Sequence, residues 1–295
     1  MSGRAAPVVV SSREDLSAAL GSVRMAGGRI ALVPTMGALH IGHARLMAQA
    51  RRRISGSDVL VASIFVNPLQ FGPDEDLERY PRTFDDDLAV CAAEGVAVVF
   101  APSVEEVFPG GEAQVTVDPG PLGMILEGAV RPTHFRGVLT VLAKLFGLVG
   151  PDLAVFGEKD YQQLVLIRRM VADLCLPVEV VATPTVREAD GLALSSRNTF
   201  LTPQDRVTAL ALPGALLAAV DAGARGPDAA VAAAVEVLRP VPGVDLDYLE
   251  VTGPDLGPVT EPGAARVLIA AGVGSTRLID NMALRLGNGP GGGPA

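Results

Sequence analysis

The chain has 295 residues, 49% of them hydrophobic and 19% charged, which suits one large or two ordinary globular domains and excludes a disordered chain. With 24 basic against 33 acidic residues and a net charge of −9, broad attraction to nucleic acid or to an anionic membrane is excluded as well. Cysteines at positions 91 and 175 form neither a disulfide framework nor a metal-type spacing, and no uninterrupted apolar run reaches membrane-spanning length, so a cytoplasmic protein is expected.

The first strong element is "RIALVPT", a β-rich apolar run, followed by an amphipathic stretch from His43 to Ser55. "DVLVASIFV" is the next buried strand, closed by the loop "NPLQFGPDEDLERYPR". A helix from about Thr83 to Glu94 leads to the strand "VAVVFAP" and then to a looser region containing "PGG" and "DPGPLG". His134–Leu148 reads as a helix, "DLAVFG" as a strand, Tyr161–Leu174 as a helix and "VEVVATPTV" as a strand. Strands rich in Val and Ile alternating with helices imply a doubly wound parallel sheet, an α/β fold with ligands at the carboxyl ends of its strands. After about Val186 the pattern changes. Helical segments Pro203–Ala222 and Pro227–Leu238 precede two strand candidates, "VDLDYLEVTG" and "ARVLIAAGV". The expected division is therefore a Rossmann-like domain over 1–185, a smaller α+β domain over 186–287, and a disordered Gly-rich tail over 288–295.

Chemistry concentrates at the strand ends. In "MGALHIGHARL", Gly37 permits a tight turn and Gly42 removes a Cβ where a helix begins. Such a helix start exposes unpaired N–H groups and a partial positive charge, which suits a phosphate. His40 and His43, three residues apart, share one side of the first turn and can donate to phosphate oxygens as charge grows. Alone, the pair reads by default as ordinary helix-cap histidines, and a metal site lacks a third ligand nearby. In "GEKDYQQL", Lys159 is a point charge suited to phosphates and Asp160 a ribose-hydroxyl acceptor, though the same residues suit a solvated turn. In "LALSSRNTFL", Ser195, Ser196 and Arg197 supply two hydroxyls and a guanidinium for a polyphosphate, or else an N-cap. "FVNPLQFG" brings the neutral amides of Asn67 and Gln70 to a strand end, or is turn chemistry. Asp85, Asp86 and Asp87 fall in a helix first turn, where carboxylates are favourable anyway, while Glu127, Arg131 and His134 share "LEGAVRPTHFRGV".

Six stretches in this order, "PTMGALHIGH", "SIFVNPLQFG", "DLERYPRT", "LEGAVRPTHFRGV", "GEKDYQQL" and "VREADGLALSSRN", resemble the pantothenate synthetase (pantoate–β-alanine ligase) family. That family belongs to the nucleotidyltransferase superfamily with an H-x-G-H motif. The resemblance extends from about residue 30 to about residue 205. It implies ATP-dependent joining of pantoate to β-alanine through a pantoyl adenylate, with Mg²⁺ accompanying ATP, and a homodimer. It implies an ATP site lined by Met36, Gly37, Ala38, Leu39, His40, Ile41, Gly42 and His43, with His43 the catalytic histidine. Gly157, Glu158, Lys159, Asp160, the Val186 backbone, Leu194, Ser195, Ser196 and Arg197 also hold ATP in this correspondence. Gln70 and Gln163 hold pantoate, with Gln70 also beside β-alanine and Asn67 joining as a neutral amide. His40 and Lys159 assist at phosphorus, and the 186–287 domain acts as a lid. Two positions depart from the family pattern: Ile41, where an acidic residue is usual, and Leu194, where Met is usual. The first makes the tetrapeptide read like that of class I aminoacyl-tRNA synthetases. Those enzymes need a lysine-bearing second motif, an anticodon-binding domain and a basic face, none of which this chain offers. A dinucleotide-forming nucleotidyltransferase leaves the amides of Gln70 and Gln163 without a purpose, and a non-enzymatic nucleotide sensor predicts ATP binding without turnover.

Overall fold

The computed structural model describes residues 5–72, 77, 78, 80–111, 113–260 and 262–287, so the tail expected from residue 288 lies outside the described residues. The strands are β1 (Val8–Val10), β2 (Ile30–Thr35), β3 (Val59–Ile64), β4 (Val98–Phe100), β5 (Leu153–Gly157), β6 (Glu179–Thr183), β7 (Val244–Thr252), β8 (Gly263–Val273) and β9 (Thr276–Leu286). The helices are α1 (Arg13–Met25), α2 (Ile41–Arg51), α3 (Phe84–Glu94), α4 (Val104–Val107), α5 (Glu127–Val130), α6 (His134–Val149), α7 (Tyr161–Asp173), α8 (Pro203–Ala209), α9 (Ala211–Ala222) and α10 (Pro227–Leu238). Two compact units result, one of Met1–Glu158 with Leu166–Pro184, the other of Lys159–Val165 with Thr185–Ala295.

In the first unit six parallel strands run in the order β1-β4-β3-β2-β5-β6. This is the parallel α/β sheet that the Val- and Ile-rich alternation predicts. The sequence reading places no element before Ile30, whereas the structure adds β1 and α1. A three-residue strand is too short to show a period, and β1 is defined by its pairing with β4. Strand order reverses at β2, with β3 and β4 on one side and β5 and β6 on the other. The crevice outside the carboxyl ends at such a switch point is where open parallel sheets bind ligands. β2 pairs with β3 from Ile30 through Thr35, but with β5 only at Ala31 and Leu32. Pro34, which has no N–H to offer a ladder, sits just beyond that short pairing. Helix α2 packs on β2 and β5, burying Met47 and Ala50 in a core that includes Val33, Leu60 and Val155.

The second unit is built on an antiparallel sheet, β7-β8-β9, with α9 against β8 and β9 and α10 against β7. Leu212, Leu216, Val267 and Ile269 are central to its core. The helical stretch expected over Pro203–Ala222 is interrupted at Leu210. The cause is Pro213, which cannot donate to the carbonyl four residues back and whose ring crowds it. By length and composition Pro203–Arg225 is apolar enough to cross a membrane, and 56% of its most apolar window is buried within the protein. A third strand, β9, joins the two expected ones.

Candidate active site

At the end of β2 the Thr35 hydroxyl donates to the Ser63 carbonyl (2.7 Å) and accepts from the Gly37 N–H (3.3 Å), turning the chain out of the sheet. Gly37 has φ +85°, and a Cβ there would lie 2.9 Å from Asp87 Oδ2, so both conformation and space demand glycine. Ala38 also has positive φ, at +51°. What holds this strained turn is Asp87. Its carboxylate accepts the Ala38 N–H (3.1 Å) and the Leu39 N–H (2.7 Å), with Thr83 Oγ1 at 3.1 Å. Asp87 is 1% exposed, whereas Asp85 and Asp86 face solvent. The sequence reading does not separate the three. The available signal was helical spacing, because Asp87 lies four residues before buried Cys91 on the inner stripe of α3.

His40 is the N-cap of α2, and the helix begins at Ile41, whose side chain is exposed. His40 Nδ1 accepts the Gly42 N–H (3.1 Å), and His43 Nδ1 accepts the His40 N–H (3.2 Å). The rings are 4.1 Å apart between centroids. A nitrogen that accepts an amide proton carries none of its own, so each neutral ring holds its proton on Nε2. Capping and donation are thus divided between the two nitrogens of each ring. The two readings that the sequence left open are compatible.

Gln70 ends a 3₁₀ turn, Pro68–Gln70, that follows β3. Its Nε2 lies 2.8 Å from Met36 Sδ, and its Oε1 accepts from Asn67 Nδ2 at 3.2 Å. Asn67 itself is 1% exposed; its amide also donates to the Gly137 carbonyl (3.1 Å) and accepts the Leu69 N–H (3.2 Å). The geometry makes Asn67 an orienting group for Gln70. The Gln70 carbonyl accepts from Arg131 Nη2 (3.3 Å) and from His134 Nδ1 (2.9 Å), which therefore bears a proton. Two residues of "RPTHF" thereby acquire a place in the structure. Gly137 in α6 allows the close approach, since a Cβ there would collide with the Leu69 carbonyl.

Gly157 closes β5 in the first unit, and Glu158 follows it. Lys159, Asp160 and Gln163 belong to the second unit, the first two in the 3₁₀ turn Glu158–Asp160 that leads into α7 and Gln163 in the first turn of that helix. Lys159 Nζ is 3.6 Å from Asp160 Oδ1, with the lysine side chain 21% exposed and the aspartate 49%. In the same unit the Val186 carbonyl accepts the Leu194 N–H (2.9 Å), closing a hairpin that presents Ser195, Ser196 and Arg197. Ser195 Oγ caps the following 3₁₀ turn by accepting the Arg197 N–H (3.3 Å). Arg206 braces the hairpin. Its Nη2 lies 2.7 Å from Glu188 and 2.6 Å from Asp190, and these hydrogen bonds hold both carboxyls below their usual values.

The structure therefore brings together Met36, Asn67 and Gln70, and His40 with His43, in one unit. In the other it brings together Lys159 with Asp160, and Val186 with Leu194. Among the described residues no group of three or more His, Cys, Asp or Glu could hold a metal ion.

A model of the family described as pantoate–β-alanine ligase matches residues 8–283. A pantothenate synthetase of Nocardioides sp. is 61% identical, covering 97% of this chain and 88% of that protein. Among solved structures, pantothenate synthetase from Thermus thermophilus superposes with a TM-score of 0.86 at 49% identity, covering 93% of this chain and 98% of that one. The pantoate–β-alanine ligase of Francisella tularensis, solved as a complex with "Beta-gamma ATP and Beta-alanine", has a TM-score of 0.78 at 32% identity, covering 94% of this chain and 97% of its own. A match of this extent, on a fold whose loops carry the expected motifs in order, means that the chain belongs to the pantoate–β-alanine ligase family of ATP-dependent ligases.

Proposed function

We propose that the chain joins pantoate to β-alanine in two steps. The pantoate carboxylate first attacks the α-phosphorus of ATP, forming a P–O bond as pyrophosphate leaves. The β-alanine amine then attacks the carbonyl of the pantoyl adenylate, giving pantothenate and releasing AMP. The observation that carries this reading is the pair of Nδ1-anchored histidines, whose Nε2–H donors are preorganised at the start of α2. His43 is the principal catalytic donor, with His40 and Lys159 sharing the charge that develops at phosphorus and on the departing pyrophosphate.

The turn from Met36 to His43 holds ATP through its backbone, which Asp87 fixes. Gly157, Glu158 and Asp160 continue that role, as do Leu194, Ser195, Ser196 and Arg197. Because its carbonyl is engaged by Leu194, Val186 contributes through its N–H. Gln70 and Gln163 take the pantoate as neutral donors, adding no charge that would blunt its carboxylate, and Asn67 acts through Gln70. Mg²⁺ enters with ATP as part of the substrate. The lid role of residues 186–287, a homodimeric assembly and a cytoplasmic location complete the reading, with no nucleic-acid or membrane partner.

Pyrophosphate exchange tests the order of events. Labelled pyrophosphate is expected to enter ATP when pantoate is present and β-alanine is absent. Exchange that strictly requires β-alanine would refute the adenylate.

A further inference from the structure

Strand β9 carries a polar pair, Asp280 and Asn281, in which both residues are buried (4% and 3% exposed). The Asn281 amide has a defined orientation. Its Oδ1 accepts from Arg266 Nε at 2.7 Å, which turns Nδ2 toward the Lys159 carbonyl at 2.9 Å. Arg266 is itself held. Its guanidinium lies 4.0 Å over the Tyr161 ring, and the Tyr161 hydroxyl donates to the Pro254 carbonyl at 2.7 Å. Next door, Asp280 receives Arg187 on both oxygens, at 2.6 and 2.9 Å, and the Asn281 N–H at 2.7 Å. An arginine fork on a carboxylate fixes geometry as well as charge. All of these residues belong to the second unit.

We propose that Asn281 is a positioning residue for Lys159. A lysine ammonium is a point charge on a flexible stem, so its placement is governed by the backbone from which it springs. The Asn281–Lys159 bond ties that backbone to the middle of β9, an edge strand of the three-stranded sheet. Burial is consistent with the role: an asparagine amide this enclosed costs stability unless its groups are paired, and here Arg266 and the Lys159 carbonyl take both ends. The inference rests on the reading of Lys159 as a phosphate-binding group.

Asn281→Asp tests it cleanly. The new carboxylate keeps its acceptor toward Arg266 but faces the Lys159 carbonyl with a second oxygen in place of a donor. With ATP and pantoate saturating, single-turnover adenylate formation is expected to fall roughly 10-fold or more, the scale of a misplaced catalytic group. In a Lys159→Ala background the same substitution is expected to cost less than about 2-fold, because residues acting as one unit are non-additive. Half-saturation by β-alanine, measured on the overall reaction, should stay near that of the parent. An equal loss in both backgrounds, or no loss with Lys159 present, would overturn the proposal. Full activity in Lys159→Ala alone would instead overturn the role given to Lys159. Should Asn281→Asp melt well below the parent, Asn281→Ala, which removes the donor without adding a charge, is assayed in its place against the same two outcomes.

Discussion

A histidine that accepts a backbone N–H at Nδ1 is locked in ring orientation and tautomer, and its Nε2–H becomes a fixed donor. That is the state of both His40 and His43. Position 43 is the N3 residue of α2, so its ring serves the capping box that Glu or Gln serves in ordinary helices. This suggests a substitution that separates the two roles. Removing the ring in His43→Ala is expected to lower single-turnover adenylate formation by about 10²–10³, the usual loss of one preorganised donor. His43→Gln can restore the reach-back to the cap, so it should recover the melting temperature while leaving turnover low. Normal turnover in His43→Ala with only a lower melting temperature would reduce the pair to caps. The motif was readable from sequence because the two rings lie on one short stretch. Asp87 was not, since its partners Ala38 and Leu39 lie 49 and 48 residues away along the chain and a first-turn carboxylate has an ordinary explanation.

Among the elements, α6 shows how a helix can set the side chain proposed to bind pantoate. The 3₁₀ turn carrying Gln70 lies against α6 at Gly137, where there is no room for a Cβ, and Asn67 donates to the carbonyl of the same glycine. Gly147 lies on the same helix, and a Cβ there would meet nothing within 4 Å. The two glycines form a matched pair. Gly147→Ala should be neutral or stabilising, by up to about 1 kcal/mol of helix propensity. Gly137→Ala should destabilise by about 1–3 kcal/mol through overpacking and should raise the pantoate KM more than the ATP KM, because Gln70 must shift. Equal effects on the two substrates, or a melting temperature like that of Gly147→Ala, would break the link from α6 to Gln70. Element type was readable wherever apolar residues ran continuously, as in β2, β3 and β5. It failed at β9, where Arg277, Asp280, Asn281 and Arg285 interrupt the apolar run. Two of those interruptions are the buried pair that engages Arg187 and Lys159, so the chemistry of the strand concealed its secondary structure.

At the scale of the molecule, a group deep in a hydrophobic core meets solvent only when that core opens. The fold class followed from the alternation of apolar strands and helices, but membership of the cores did not, because the second unit recruits Lys159–Val165 from the middle of the first unit's sequence. The two cysteines provide a readout. Cys91 is fully buried in the first core beside Met47 and Val99, whereas Cys175 is exposed just beyond α7. Burial, together with the charge of Asp87, pushes the Cys91 thiol up to about 12, leaving almost no thiolate at mildly alkaline pH. A thiol reagent should therefore titrate one rapid site in the native protein and two in denaturant. The slow site should react at a rate that follows the opening of the first core, since core groups exchange through the costliest openings. Cys175→Ser should abolish the rapid phase and leave the slow one unchanged. Saturating ATP with pantoate should slow the Cys91 phase further, because ligands that bind only the native state shift the opening equilibrium. Two rapid sites in the native protein would contradict the packing of α3 on this sheet, and with it the burial of Asp87 four residues earlier on the same helix.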